Sequence, residues 1–373
     1  MRKLQINQKA GWLAISLSAL ASVTHADDSV KTTFSGFGTI VGTTSSNKDF
    51  EFKNTVYQTK GVKKSDGLDF GLDSRIGLQG RAEFDPTVSI TGQVIAQRNI
   101  SKNLDPQIEW LYGQWSGVPG LDIRLGRVVL PAFMISDSRF VTYAMPGVRA
   151  PVLVYSMFPF SSVDGAQATY RKRLADVNWT LSGSAGKDGV QNAKHVKNLT
   201  LTAEFGDWTG RYGYVGSQPI LDFTALGLGV ITWKDTFHNL GLQYDNGDYF
   251  GAAEYVLRKD DPKYFDATAW YVTAGARFGK WTPWATLSRQ SFKAGAQGVP
   301  IPGAPSFVPP VVLASPANNT KGLAGGIRYD VATNVAFKAE YGRYEGASGI
   351  LVLPTTTVKQ KINLLSIGLD FIF

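Results

Sequence analysis

The 373-residue chain contains no cysteine and only three histidines. Without thiols it has no disulfides, no thiolate nucleophile and no thiolate metal ligand. Beyond the N-terminal segment there is no run of 18 or so apolar residues, so the chain cannot cross a bilayer as helices. Basic residues outnumber acidic ones by 38 to 30, a formal charge of +8. No Lys/Arg-rich run accompanies that surplus, which excludes a nucleic-acid-binding signature. Helix-like periodicity is scarce throughout.

What is present begins with the N-terminus. Arg2, Lys3 and Lys9 precede a short apolar core from Trp12 to Ala21, and Thr24-His25-Ala26 supplies small residues at −3 and −1. This reads as a secretory leader over residues 1–26, cleaved after Ala26, rather than a buried first helix or a membrane anchor. Its removal takes away three basic and no acidic side chains, so the charge falls from +8 to +5. Residues 27–373 form the mature domain, with His195 and His238 as its only histidines.

That domain is rich in glycine (40 residues) and aromatics (12%), and its dominant pattern has period two. In Leu68–Phe84, Phe70, Leu72, Ile76, Leu78, Ala82 and Phe84 face one way, and Asp73, Arg75, Gln79, Arg81 and Glu83 the other. Soluble strands are most often about 5–6 residues long, whereas a tilted membrane strand needs about 9–11. Comparable pairs of segments flank Asp85-Pro86-Thr87, Gly117–Gly120, Leu174-Ala175-Asp176, Gly206-Asp207, Asn246-Gly247, Gly279-Lys280 and Ala332-Thr333-Asn334. With Thr32–Thr44 at the start and Lys361–Phe373 at the end, sixteen strands are predicted.

Two classes fit: a large periplasmic β protein or an all-β, 16-stranded antiparallel transmembrane barrel. Short turns alternate with long connections near 46–66, 129–162, 216–236, 294–320 and 347–360, the asymmetry of a barrel with short periplasmic turns and long outer loops. Trp179, Trp208, Tyr212, Phe278, Trp281, Phe371 and Phe373 gather where strands meet turns, as an interfacial girdle requires. The last strand places Leu365, Ile367, Leu369, Phe371 and Phe373 on one face, and the barrel must close by pairing it with the first. Gly36-x-Gly38 with Gly42 lies inside a strand with no helix to follow, so it fails as a phosphate loop and reads as a site of strand curvature.

Residues 128–162 form a long apolar excursion between the fifth and sixth strands. Prolines at 131, 146, 151 and 159 forbid a long regular element there, and so much apolar surface calls for a contact. The loop is expected to fold inward and constrict the lumen; a surface lid or a subunit contact is the alternative. Phe133, Met134, Phe140, Tyr143 and Tyr155 would line it and could favour aromatic or amphipathic solutes.

Sixteen strands, a Leu125-Gly126-Arg127 passage leading to Pro131, and a terminal Phe373 together resemble the Gram-negative general porin superfamily. The resemblance covers essentially the whole mature chain. It implies an outer-membrane location, a homotrimer, a third loop that forms the constriction, surrounding lipid and lipopolysaccharide, and recognition of the Phe371/Phe373 strand by the barrel-assembly machinery. The chain departs from the family's acidic constriction loop, offering Asp137 beside Arg139 and Arg149.

Inward parity assigns Arg75, Arg81, Arg124, Arg171, Arg211, Arg258, Arg277, Arg328 and Lys338 to the lumen. Asp73, Glu83, Asp122, Glu204, Glu254, Asp330 and Glu340 share it. A surplus of one sign would select the opposite ion, so a mildly anion-preferring channel for small hydrophilic solutes is expected, with Arg75, Arg124, Arg127, Asp137, Arg139 and Arg149 nearest the constriction. Alternatively these charges pair across neighbouring strands and only hydrate the lumen. A plugged structural or adhesive barrel, or an outer-membrane hydrolase, are the other readings. No motif joins either histidine to a nucleophile, and no cofactor or metal is implied.

Overall fold

In the computed structural model, residues 30–55, 58–98, 104–158, 160–188, 193–222, 224, 230–261, 266–293, 295–299, 311–315, 318–346 and 360–373 are described. The leader expected at 1–26 and parts of the connections expected at 216–236, 294–320 and 347–360 lie outside these residues. Nineteen strands are described in chain order. The first nine are β1 Lys31–Ser45, β2 Arg75–Glu83, β3 Val88–Arg98, β4 Leu104–Val118, β5 Leu121–Val129, β6 Ser162–Leu174, β7 Val177–Asp188, β8 Ala193–Phe205 and β9 Trp208–Asp222. Next come β10 Val230–Thr232, β11 Lys234–Asp245, β12 Tyr249–Asp261, β13 Ala267–Ala276 and β14 Trp281–Phe292. The last five are β15 Gly295–Val299, β16 Val311–Ser315, β17 Asn318–Ala332, β18 Val335–Gly346 and β19 Gln360–Ile372.

Sixteen of these make one closed antiparallel wall. Each pairs with its predecessor, and β19 returns to β1 with Gly38 opposite Phe371 and Thr43 opposite Ser366. Short β10 extends the end of β9, so the wall runs from β9 to β11. The β15–β16 pair is a separate hairpin, and the wall runs from β14 to β17. Closure leaves no edge, so every wall strand's N–H and C=O groups can be satisfied inside lipid.

Alternation sets the two faces. Along β19, Leu365, Ile367 and Leu369 are exposed while Ser366 and Asp370 are buried. The short turns have local causes. At Asp85 the carboxylate accepts from the amides of Thr87 (2.6 Å) and Val88 (2.9 Å), an Asx turn. Gly247 (φ 93°) takes a left-handed conformation that suits glycine in the hairpin after Asn246. Exposed aromatics mark the same end of the wall: Phe84, Trp115, Tyr170, Phe205, Trp208, Tyr249, Phe278, Trp281 and Phe373. Trp208 packs on Tyr244 and Trp281 on Tyr329, with centroids 4.8 and 4.3 Å apart.

One expectation is revised. Leu68–Phe84 is not one long strand: β2 begins at Arg75, and Leu72 is buried instead of facing lipid. The Asp69 carboxylate accepts from the amides of Gly71 (2.8 Å) and Leu72 (2.9 Å) and pairs with Arg98 (2.8 Å), and this bends the chain out of register. Gly36 and Gly38, for their part, are covered by the rings of Phe373 and Phe371, where a Cβ would collide with the aromatic carbons. They seat the last strand's aromatics against the first strand, the glycine-covering device of β-sheets.

Gly126 in β5 has φ 126°, and a Cβ there would meet the Leu111 carbonyl and the Tyr112 Cα on the neighbouring backbone. We expect Gly126→Ala to lower the stability of the folded barrel by about 1–3 kcal/mol, read as an earlier midpoint in urea unfolding. An unchanged midpoint would show that the strand relaxes freely at this point.

Candidate functional site

The connection leaving β5 is pinched at its neck, where the Leu130 amide donates to the Ser161 carbonyl at 2.7 Å. Between these points its prolines at 131, 146 and 151 permit only turns, a three-residue 3-10 turn at Thr142–Ala144 and a single helical turn at Val152–Tyr155. Its apolar side chains are packed, not solvated. Phe133, Val154, Phe158 and Phe160 join Val196, Val215, Phe237, Val256, Ala269 and Tyr271 in one buried cluster. Those wall residues alternate with exposed ones such as Leu199, Leu240 and Tyr255, so the connection packs against the buried positions of these strands. Leu153 joins a second cluster with Tyr344, Ile362 and Leu364 of the wall and Phe52 and Val62 of the 46–74 connection.

Polar contacts fix the connection on two sides. On one, Glu254 of β12 accepts from the Met134 amide (2.9 Å), Tyr155 Oη (2.6 Å), Tyr271 Oη (2.8 Å) and Asn239 Nδ2 (2.7 Å). Arg211 donates to the carbonyls of Pro131 (3.0 Å) and Met134 (3.2 Å). On the other side Arg149 pairs with Asp73 (2.7 Å) and Glu340 (3.2 Å), and donates to Ser366 Oγ (2.5 Å). Beside it Lys338 pairs with Asp370 (2.6 Å) and donates to the carbonyls of Thr142 (2.6 Å) and Gly147 (2.9 Å). Glu340 also accepts from the Val148 amide at 2.9 Å.

These two cations and three carboxylates have side chains at most 4% exposed. Burying such charges is costly unless each is paired and hydrogen-bonded, and here the connection's own backbone supplies the missing bonds. Burial alone would depress the Arg149 guanidinium, but Asp73 and Glu340 outweigh it and hold its pKa above the ordinary arginine value. Burial, reinforced by the Glu254 charge, pushes the Tyr155 phenol well up.

Arg149 borders two cavities. One, of about 400 Å³, is lined by Arg75, Arg98, Arg127, Arg139, Glu109, Phe140 and Tyr155 among others, beside the long-connection ends of β3 and β4. The other, of about 380 Å³, is lined by Met134, Trp284, Arg277, Arg328, Asp245 and Asp330 and reaches the short-turn end. In the first, two guanidinium groups lie over the Phe140 ring, Arg75 Cζ 5.7 Å and Arg139 Cζ 4.6 Å from its centroid.

The residues singled out in the sequence take different places. Arg75, Arg127, Arg139, Arg149, Phe140 and Tyr155 meet at the first cavity, and Met134 and Arg328 line the second. Arg328 donates to the Tyr143 carbonyl and lies 4.5 Å over the Tyr143 ring. Arg81 pairs with Glu83 (3.0 Å), and Arg124 donates to Gln114 (2.8 Å) over the Tyr112 ring; neither lines these two cavities. Asp137 is exposed, Phe133 is 2% exposed within its cluster, and Lys338 is sealed at the anchor. Phe371 and Phe373 cover the β1 glycines.

Glu109 and Arg98 were not singled out. Glu109 sits at a bulge where β4 has one residue more than β3, opposite Gln93/Val94, so counting parity along β4 misplaces it. Arg98 ends a strand, and its guanidinium pairs with Asp69 of a turn far back in the chain.

Replacing Arg149 by Met leaves Asp73 and Glu340 buried without their shared cation. Breaking a buried pair in this way costs about 3–5 kcal/mol. The expected outcome is a lower urea midpoint, with faster proteolysis inside residues 130–161 than in the parent; equal cleavage would remove the anchoring role.

Comparison with known proteins follows from this geometry. A family model described as Gram-negative porin matches residues 13–370. No curated protein matches the sequence. Among solved structures, the outer membrane channel DcaP of Acinetobacter baumannii superposes with a TM-score of 0.60 at 11% identity, over 95% of this chain and 100% of that one. The anion-selective porin from Comamonas acidovorans gives 0.58 at 12% identity, over 92% and 100%. In-vitro folded OmpT of Vibrio cholerae, in its trimer form, gives 0.58 at 16% identity, over 93% and 100%. With the family model spanning nearly the whole chain and the closed sixteen-stranded wall behind it, the chain belongs to the Gram-negative porin family.

Proposed function

We propose that the protein is a non-catalytic channel for passive diffusion of small hydrophilic solutes and ions across the outer membrane, with a mild preference for anions. Residues 128–162 fold into the lumen and narrow it. The two anchors and the two cavities bordered by Arg149 support this reading.

One observation carries the anion preference. Most of the candidate arginines are neutralised locally: Arg171 by Asp122 (2.5 Å), Arg258 by Asp235 (2.8 Å), Arg277 by Asp245 (2.7 Å), Arg127 by Asp164 (2.6 Å) and Arg328 by Asp330 (2.8 Å). Four differ: Arg75, Arg124, Arg139 and Arg211 have no described carboxylate within ion-pair distance. Arg124 bonds to Gln114 and Arg211 to the carbonyls of Pro131 and Met134, whereas Arg75 and Arg139 both lie over the Phe140 ring in the first cavity. Their charge, offset by Asp73, Asp370 and Glu109 only beyond ion-pair distance, selects for anions, and the ring beside them favours anions that carry an aromatic face. Arg124 and Arg81 hydrate the wall, Asp137 softens the positive field, and Arg149 and Lys338 hold the loop. Met134, Phe140, Tyr143 and Tyr155 give the passage its apolar side, and Phe133 packs beneath it.

The reading as a homotrimer is supported by the trimer form of the Vibrio cholerae neighbour. Outer-membrane lipid and lipopolysaccharide surround the wall, and the Phe371/Phe373 strand is what the barrel-assembly machinery engages. A leader over residues 1–26 directs export. Against catalysis, His238 faces outward beside Tyr212, its Nδ1 2.8 Å from Tyr212 Oη.

Single-channel recording in a planar bilayer under a salt gradient tests the proposal. The parent should give stepwise conductance and a reversal potential of anion-selective sign. Arg75→Gln with Arg139→Gln should move that potential toward zero, and deletion of residues 132–158 should raise the conductance. A cation-selective parent, or silence that persists after the deletion, would overturn it.

A further inference from the structure

The connection between β1 and β2 holds a small structure of its own. Phe52 and Val62 face each other across an isolated antiparallel bridge, each amide donating to the other's carbonyl at 2.9 Å. Directly opposed residues project to the same side, and both side chains are fully buried. The bridge depends on Gly61, where a Cβ would collide with the Phe52 carbonyl. At the neck, the Lys64 amide donates to the Asn47 carbonyl at 2.6 Å.

The buried pair packs on Tyr344, Ile362 and Leu364, toward the long-connection ends of β18 and β19. These alternate with exposed Arg343, Lys361 and Leu365. They therefore share a strand face with Lys338, Glu340 and Ser366, the residues that hold the 130–161 connection. The Phe52 ring lies 4.9 Å from the Tyr344 ring, and the Arg149 guanidinium sits 5.8 Å over it. Asp73, at the end of the same 46–74 connection, pairs with Arg149 at 2.7 Å. One cation thus ties the two connections together.

The first cavity lies between them. Asn54, Gln58 and Leu72 line it from one connection, and Arg139, Phe140 and Tyr155 from the other. The amides on the first side are fixed in place. Asn54 Nδ2 donates to the Leu72 carbonyl (3.2 Å), and Gln58 Nε2 to the carbonyls of Leu72 (3.1 Å) and Arg98 (3.3 Å). We infer that residues 46–55 and 58–74 fold over the long-connection mouth as a second, fixed narrowing, so that solutes pass between two connections. The inference rests on the channel reading and adds to it a size limit at the outer end, where long connections of such barrels lie. Phe52 and Val62 set that limit by seating the connection, because the width left open decides what enters.

The test perfuses poly(ethylene glycol) of graded size on each side of single channels in turn, and records the largest polymer that still lowers conductance from each side. The parent should show a smaller limit from one side than from the other. Deletion of residues 48–63 joins Asn47 to Lys64, whose backbones already meet, and should bring the two limits together. Phe52→Ala with Val62→Ala keeps the chain length and should shift the limits the same way by a smaller step. Phe34→Ala with Val94→Ala trims two exposed wall residues and should leave both limits at the parental values. Heat-modifiable migration establishes that each variant is folded. A conducting parent with equal limits, or a conducting deletion variant that keeps the parental asymmetry, would overturn the second narrowing and leave the channel reading standing. A folded barrel that stays silent with and without residues 132–158 would overturn both.

Discussion

Every backbone amide and carbonyl that lies in hydrocarbon must find its partner within the protein, and this architecture follows from that demand. The β19–β1 ladder meets it by removing the last edge, so the wall has one face for lipid and one for water. Alternation along each strand sorts the side chains between them. The same constraint explains the glycines of β1: Gly36 and Gly38 leave room for Phe373 and Phe371 at the seam.

With the wall closed, the interior becomes a surface for packing. The inner side of β8–β13 is apolar at Val196, Val215, Phe237, Val256 and Ala269, where a purely aqueous lumen would have polar residues. That surface matches the apolar side chains of the 130–161 connection. Opposite it, Asp73, Lys338, Glu340 and Asp370 form a charged socket whose complement is Arg149 and the peptide groups of residues 142–148. Apolar burial holds one flank of the connection and buried ion pairs the other. Hydrophobic packing is non-directional, whereas the ion pairs fix one register.

Pairing also governs the charge that solutes meet. A wall with many arginines is not automatically a strong field, because cross-strand and i,i+2 carboxylates neutralise most of them. What remains is set by the few cations that the geometry leaves without an acid. Among the described residues, Arg75 and Arg139 have no carboxylate within ion-pair distance, and both lie over the Phe140 ring at the cavity.

Period-two alternation, turn chemistry at positions such as Asp85 and Gly247, and the alternation of short and long connections determined the closed sixteen-stranded wall, because each is a local property repeated along the chain. The inward parity of Arg75, Glu254 and Glu340 was legible for the same reason. Parity failed where the backbone left its regular path: at the Asp69 turn, which buries Leu72 and brings Arg98 to the cavity, and at the β4 bulge, which redirects Glu109. Residues far apart in the chain meet at the site, Arg149 with Asp73 and Glu340, and Arg75 with Phe140. Composition and spacing carry no record of such meetings, which exist only after the sheet has closed. Local alternation determined the faces of the regular strands; the tertiary structure alone decided which charges meet the 130–161 connection, because pairs such as Arg149 with Asp73 and Glu340 depend on distances between elements far apart in the chain.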